Sequence, residues 1–319
     1  MLYLAAIVLL FYSMAAYGFD LIGVGGYEYN SSDGVHSITE LIYNEHLNNV
    51  NAISMWITRD WDEGWYPSEE VNERIIQKGF TPIFILYWFE DSISKSYIQK
   101  NKNAYYDYLH RIRRYLDRVE GKKIVVLNPE FNENRVEGWE GFNDILLESK
   151  KILDHGDIAI GPCVGDFGNY GNTEDLNNWQ TFDPSIVSSI SHFDFIAFQE
   201  MRALTRNKRS EIEKLPERIE SFGGYLHSKY KKPVFLAYLA LSSWGEEGEK
   251  LQEEVISRLN ERQEIFTQKG IFGINLFNLI DVPFHRGYFN EGERFFGIYY
   301  HNLMPKPSVS FFRELRVNK

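Results

Sequence analysis

The sequence predicts an α/β fold, a single-domain (β/α)8 TIM barrel, and three observations carry that expectation. Short apolar, β-prone runs alternate with longer segments whose apolar residues recur every three or four positions. The runs are apolar nearly throughout, as in Ile83-Phe84-Ile85-Leu86 and Ile124-Val125-Val126-Leu127, the pattern of parallel strands buried on both faces. Polar residues gather at the C-terminal end of each run, where barrels of this kind keep their functional groups. A length of 319 residues suits one such barrel, and no Pro/Gly/Ser-rich tract interrupts it.

The elements follow in order. Strands are expected over 20–27, 51–58, 81–88, 123–129, 157–165, 193–199, 233–241 and 273–279. Helices are expected over 35–48, 68–78, 104–120, 139–155, 184–191, 210–229, 249–269 and 308–315. The third helix is the clearest. Tyr105, Tyr108, Leu109, Ile112, Tyr115, Leu116 and Val119 fall on one stripe, while Arg111, Arg113, Arg114 and Asp117 fall off it. Several helices reach a glycine just before the next strand, at Gly79, Gly121, Gly156 and Gly270. Gly23-Val24-Gly25-Gly26 lacks the spacing of a dinucleotide fingerprint and reads as a first strand passing close to a neighbour.

The first 18 residues stand apart. Leu2 to Tyr17 carry no charge and lead into Ala16-Tyr17-Gly18, so residues 1–18 read as an export signal and 19–319 as the barrel. The expectation is a secreted or periplasmic monomer with no membrane association beyond that signal. Cys163 is the only cysteine, so no intrachain disulfide can form and stability must come from the core.

A formal net charge of -11 argues against nucleic acid or an anionic membrane as partner. Aromatics make up 16% of the chain, with 20 Tyr and 7 Trp, side chains that stack on the apolar faces of sugars. A carbohydrate is the expected substrate. No His-x-x-x-His pair, Gly-x-Ser-x-Gly elbow or phosphate loop occurs, so neither metal nor cofactor is expected, and serine-hydrolase and nucleotide chemistry are disfavoured.

The strand ends supply the candidate site. In order they give Tyr27 and Glu28; Trp88 with Glu90; Asn128, Glu130 and Asn132; Asp166 and Asn169; Gln199, Glu200 and Arg202; Tyr238; and Asn278 with Asp281. Carboxyls for proton transfer, amides for hydroxyls and rings for stacking make up a sugar-cleaving cleft. Trp56, Trp88, Trp179 and Trp244 are candidate stacking platforms, with core burial the competing reading for Trp56.

Asn128-Pro129-Glu130-Phe131-Asn132 resembles the fourth-strand acid/base segment of the large clan of (β/α)8-barrel glycoside hydrolases, in which an Asn commonly precedes the catalytic Glu. The tail, Glu293-Arg294-Phe295-Phe296-Gly297-Ile298 followed by Met304-Pro305-Lys306-Pro307-Ser308, is similar to the ending of those barrels. The resemblance implies that Glu130 is the general acid/base. It also exposes a departure, because that clan takes its nucleophile from a Glu at the end of strand seven and the matching segment carries Tyr238 instead. Glu200 is the expected replacement, with Asp166, Glu28, Glu90 and Asp281 behind it. The competing expectation is a carbohydrate-binding barrel that has lost catalysis.

Overall fold

The computed structural model describes residues 18–31, 34–132, 136–166 and 179–318. The expected export signal, apart from Gly18, lies outside the described residues, as does Asn169. The strands are β1 (Leu21–Gly25), β2 (Glu28–Ser31), β3 (Gly34–Ser37), β4 (Ala52–Thr58), β5 (Thr81–Tyr87), β6 (Lys123–Leu127), β7 (Ile158–Gly165), β8 (Ile196–Arg202), β9 (Val234–Leu241) and β10 (Ile271–Leu276). All but β2 and β3 form a closed parallel barrel in the order β1-β10-β9-β8-β7-β6-β5-β4, with β4 pairing back onto β1. The single-domain (β/α)8 expectation holds.

The hairpin of β2 and β3 stands where the first helix was expected to begin. That helix, Ile38–Asn44, starts later because Ser37 caps it, its hydroxyl accepting from the Thr39 amide. The third helix begins earlier than its stripe suggested, at Lys95, where Ser94 accepts from the Tyr97 amide. The segments expected over 210–229 and 249–269 each divide in two, into Arg209–Glu213 with Leu215–Tyr230 and Gly248–Glu261 with Gln263–Gln268.

Alternation along the strands sorts the core into two layers. Inside the barrel lie Leu21, Ala52, Ile83, Ile85, Ile124, Val126, Cys163, Ala197 and Phe235. Between barrel and helices lie Ile53, Met55, Phe84, Leu86, Val125, Leu127, Ile196, Phe198 and Leu236. β1 does pass close to its neighbour: a Cβ on Gly25 would fall 1.7 Å from the Phe277 carbonyl oxygen. One irregularity matters for the site. β8 and β9 pair Phe198 with Leu236 and then Gln199 with Tyr238, so β9 carries an extra residue, a bulge at Ala237.

The tail is latched to the end of β10. Lys306 is buried, and its ammonium donates to the Asp281 carboxylate at 2.7 Å, the Ser243 hydroxyl at 2.8 Å and the Gly297 carbonyl at 2.8 Å. Among the described residues no helix is long and apolar enough to cross a membrane.

Candidate active site

Successive strand residues point to opposite sides of the barrel wall, so only alternate strand-end residues reach its mouth. The inward positions there hold Trp56 on β4, Tyr87 on β5, Cys163 on β7, Gln199 and Met201 on β8, Tyr238 on β9, and Phe277 just beyond β10. Glu130 joins them from the loop after β6.

That loop is bent into place. Asn128 and Glu130 both have left-handed backbones, with φ of 46° and 60°. Such conformations cost on the order of 1–3 kcal/mol each and persist only where packing imposes them. Here Phe131 is fully buried and stacks on Phe142 at 5.0 Å. Asn132 fixes the next turn: its amide donates to the Gly165 carbonyl at 2.8 Å, and the Gly165 amide donates back at 2.7 Å. Strain of this kind concentrates at functional sites.

The consequence is a half-buried Glu130 that accepts a hydrogen bond from the Tyr238 hydroxyl at 2.8 Å. Tyr238 is 1% exposed. Burial, and then the charge of Glu130, push its ionisation well above the usual phenol range, so it remains a donor at any working pH. Cys163 is buried beside them, and burial with the Glu130 charge pushes its thiol up as well. Cys163 is therefore an unreactive wall residue.

Rings and polar atoms complete the mouth. The Trp56 ring lies 5.0 Å from Tyr238, 5.7 Å from Tyr87 and 5.4 Å from Phe277. Tyr87 donates to the Asp91 carboxylate at 2.8 Å. Phe277 meets the His285 ring at 5.9 Å, and His285 Nε2 is 3.1 Å from the buried Glu293 carboxylate. Two buried polar atoms of this group, Trp56 Nε1 and Gln199 Oε1, have no hydrogen-bond partner among the described residues. A donor and an acceptor left unsatisfied beside a carboxylate are suited to ligand hydroxyls. Among the described residues no group of three or more His, Cys, Asp or Glu is arranged to hold a metal ion.

Several expected site residues are placed elsewhere. Glu200 alternates with Gln199 and so points out of the barrel; it is fully buried and paired with Arg202 at 2.6 Å. Arg202 also donates to the Met201 carbonyl, and both side chains are closed off from the mouth. Asp166 is fully buried, held by Arg218 from the helix Leu215–Tyr230 and by the Trp179 indole at 2.8 Å. Arg218 keeps Asp166 ionised despite its burial, whereas burial and the charge of Asp166 push Glu200 well up against the pull of Arg202. The expected pairing of Glu200 with Glu130 across the mouth is therefore not what the fold builds.

Asn128 accepts from the buried Tyr105 hydroxyl at 3.1 Å on the helix side of the wall, and Asn132 is spent on the Gly165 backbone. Asp281 belongs to the Lys306 latch. Glu28 pairs with Arg74 at 2.5 Å and Glu90 with Arg59 at 2.8 Å. Tyr27 is buried edge-on against Tyr66 and donates to Glu70. Trp88 is buried among Phe89, Tyr105 and Tyr108, and Trp179 among Phe222 and Tyr225, so neither is a platform. Asn278 is half-buried beyond β10, and Trp244 is 37% exposed. Of the expected set, the mouth brings together Glu130, Gln199, Tyr238 and Trp56. Tyr87, Asp91, Phe277, His285 and Glu293 are the additions, and the available signal was the alternation itself, which puts Tyr87 in step with Ile83 and Ile85.

Comparison with known proteins bears on the fold. No family model matches the chain, and no curated protein matches it. Among solved structures it is similar to the GH53 catalytic domain of Ignisphaera aggregans, with 15% identity over 95% of this chain and 97% of that one and a TM-score of 0.64. It is similar to fungal beta-1,4-galactanases, with 14% identity over 93% and 99% and a TM-score of 0.63. It also matches a beta-glucuronidase of an uncultured Clostridium sp., with 13% identity and a TM-score of 0.62, covering 93% of this chain but only 50% of that enzyme. At these identities what is shared is the fold, and that fold is the barrel of glycoside hydrolases.

Proposed function

We propose that this chain is an O-glycoside hydrolase acting on a polysaccharide or oligosaccharide, with Glu130 as the residue that exchanges a proton with the glycosidic oxygen. The observation that carries the reading is the presentation of Glu130. It is a carboxylate held by Tyr238 on a bent loop at the end of the fourth barrel strand, beside unsatisfied donor and acceptor atoms and a ring wall. The glycoside-hydrolase barrels that share the fold support it.

A second carboxylate is still needed. Two acids connect to the mouth through one intermediary each, Asp91 through Tyr87 and Glu293 through His285. Glu293 is buried and also accepts from the Phe289 amide, whereas Asp91 is exposed. We assign the role to Asp91. Water attacks the anomeric carbon as the bond to the leaving oxygen breaks; Asp91 takes the proton from water and Glu130 gives one to the leaving oxygen. Such inversion needs a gap of about 6.5–9.5 Å between the carboxyls, whereas direct displacement needs one near 5 Å. The strand-seven place from which a displacing Glu would come holds Tyr238, which favours inversion.

An exported monomer is part of the proposal, its export resting on the uncharged leader. The second reading, a sugar-binding barrel without catalysis, is favoured by that same Tyr238. A polysaccharide panel with wild type, Glu130→Gln and Asp91→Asn separates them. Hydrolysis lost in both variants with binding retained supports the enzyme. Binding by all three with hydrolysis by none gives the binding barrel, and hydrolysis intact in Glu130→Gln sinks the assignment.

A further inference from the structure

We propose that the loop 282–289, between β10 and the turn Asn290–Phe295, is a second sugar-binding surface. On it Phe284 and Tyr288 stack against outer units of a neutral, extended oligosaccharide whose reacting unit lies at Glu130. The inference rests on the hydrolase reading and adds to it a chain-length preference, hence cleavage within chains.

Phe284 is 92% exposed and Tyr288 69%, an unusual outlay of aromatic surface on one short loop. The loop is firmly anchored. Glu293 accepts from the Phe289 amide at 2.8 Å and pairs with His285. The Thr205 hydroxyl donates to the Phe289 carbonyl at 2.7 Å. Arg206 donates to the Tyr288 carbonyl at 2.8 Å and sets its guanidinium 4.8 Å from the Tyr288 ring. Rings on a braced loop lose little freedom when a ligand covers them.

The surface is continuous with the mouth. Tyr238, which holds Glu130, lies 6.1 Å from Phe277, and Phe277 lies 5.9 Å from His285, the residue next to Phe284. The chemistry matches a sugar rather than a plain apolar partner. Exposed rings suit the apolar face of a pyranose, while Arg206 and Arg286 beside them offer N–H donors for its hydroxyl edge. The net charge of -11 points to a neutral chain over a polyanion.

The test titrates β-1,4-linked galacto-, manno- and gluco-oligosaccharides, from disaccharide to hexasaccharide, against the full chain carrying Glu130→Gln. The same series is run with Phe284→Ala and Tyr288→Ala added, and with Val187→Ala added as an exposed apolar control remote from the mouth. The expected result is a loss that grows with chain length, small for the disaccharide and about tenfold or more for the hexasaccharide, with the control unchanged. A loss equal at every length, or none while long oligosaccharides still bind, overturns the platform and leaves the reading of Glu130 standing. Failure of every sugar to bind the Glu130→Gln chain overturns that reading, and the platform falls with it.

Discussion

Tyr238→Phe removes one oxygen and nothing else. The phenol ring is 1% exposed and packed against Trp56 and Phe277, so phenylalanine refills the same space without a cavity. What disappears is the hydrogen bond to Glu130 Oε1 at 2.8 Å, and a bond to a charged acceptor contributes about 1.5–3 kcal/mol. If that bond aligns the carboxylate with the glycosidic oxygen, kcat/KM falls by roughly 10- to 100-fold. The pH dependence carries a second, independent signature. The Tyr238 hydroxyl is pushed well above its ordinary range by burial and by Glu130, so it does not titrate in the working interval and always favours the ionised carboxylate. Removing a donor to the charged form disfavours that form, so the limb of the rate profile governed by Glu130 moves to higher pH. The assay is kcat/KM against pH for both proteins on the polysaccharide that the panel identifies. A lowered rate with an unmoved limb makes Tyr238 a wall residue only; an unchanged rate and limb refutes the coupling outright.

Glu200→Gln should leave hydrolysis intact, because burial holds Glu200 toward its neutral form and an amide replaces a neutral carboxyl closely; loss of activity matching Glu130→Gln in the panel would return Glu200 to the mechanism. Lys306→Met removes the ammonium that satisfies Asp281, Ser243 and Gly297 and strands a buried carboxylate, so thermal unfolding should show a loss of about 3–5 kcal/mol, roughly 10 °C in melting temperature. Adding Asp281→Asn should recover much of that loss, and a single variant as stable as wild type would remove the latch from the account. Hydrogen bonds from His155 and Lys123 bring Asp157 from 3.8 down to about 2, so its contribution is present above pH 3.8 and is lost as the pH falls toward 2. Urea midpoints of Asp157→Asn should therefore fall less steeply than those of wild type across that interval, and parallel curves would contradict the assignment.

The barrel was legible because its signal is repeated. Eight apolar runs each announce a strand buried on both faces, and an error of a residue or two at any end leaves the count intact. The hairpin Glu28–Ser31 with Gly34–Ser37 was not legible, since its strands are polar, partly exposed and short. Helix starts slipped wherever a lone serine decided them, as Ser37 and Ser94 do.

The site was read less well, for a reason that particular residues make plain. Closeness to a strand's C-terminal end does not place a side chain in the mouth; parity does. On β8 the inward set is Ala197, Gln199 and Met201, and the outward set Ile196, Phe198, Glu200 and Arg202, so Glu200 was excluded by simple alternation from the buried Phe198. That much the sequence contains. Tyr238 is different. Counting by twos along β9 from the inward Phe235 reaches Ala237 and sends Tyr238 outward, and only the extra residue between the Leu236 and Tyr238 pairings turns its ring back into the barrel. A bulge of one residue leaves no mark in hydrophobic periodicity, because both Ala237 and Tyr238 are tolerated in a buried strand. Yet it determines whether the hydroxyl meets Glu130 or the helix layer. Deleting Ala237 removes the extra residue and puts Tyr238 directly after the outward Leu236, hence inward under strict alternation and still opposite Gln199, so this variant should keep more of the Glu130 function than Tyr238→Phe does, provided the barrel still closes by circular dichroism. Activity at or below that of Tyr238→Phe would mean that the bulge itself, and not only the inward direction of the ring, brings the hydroxyl to Glu130.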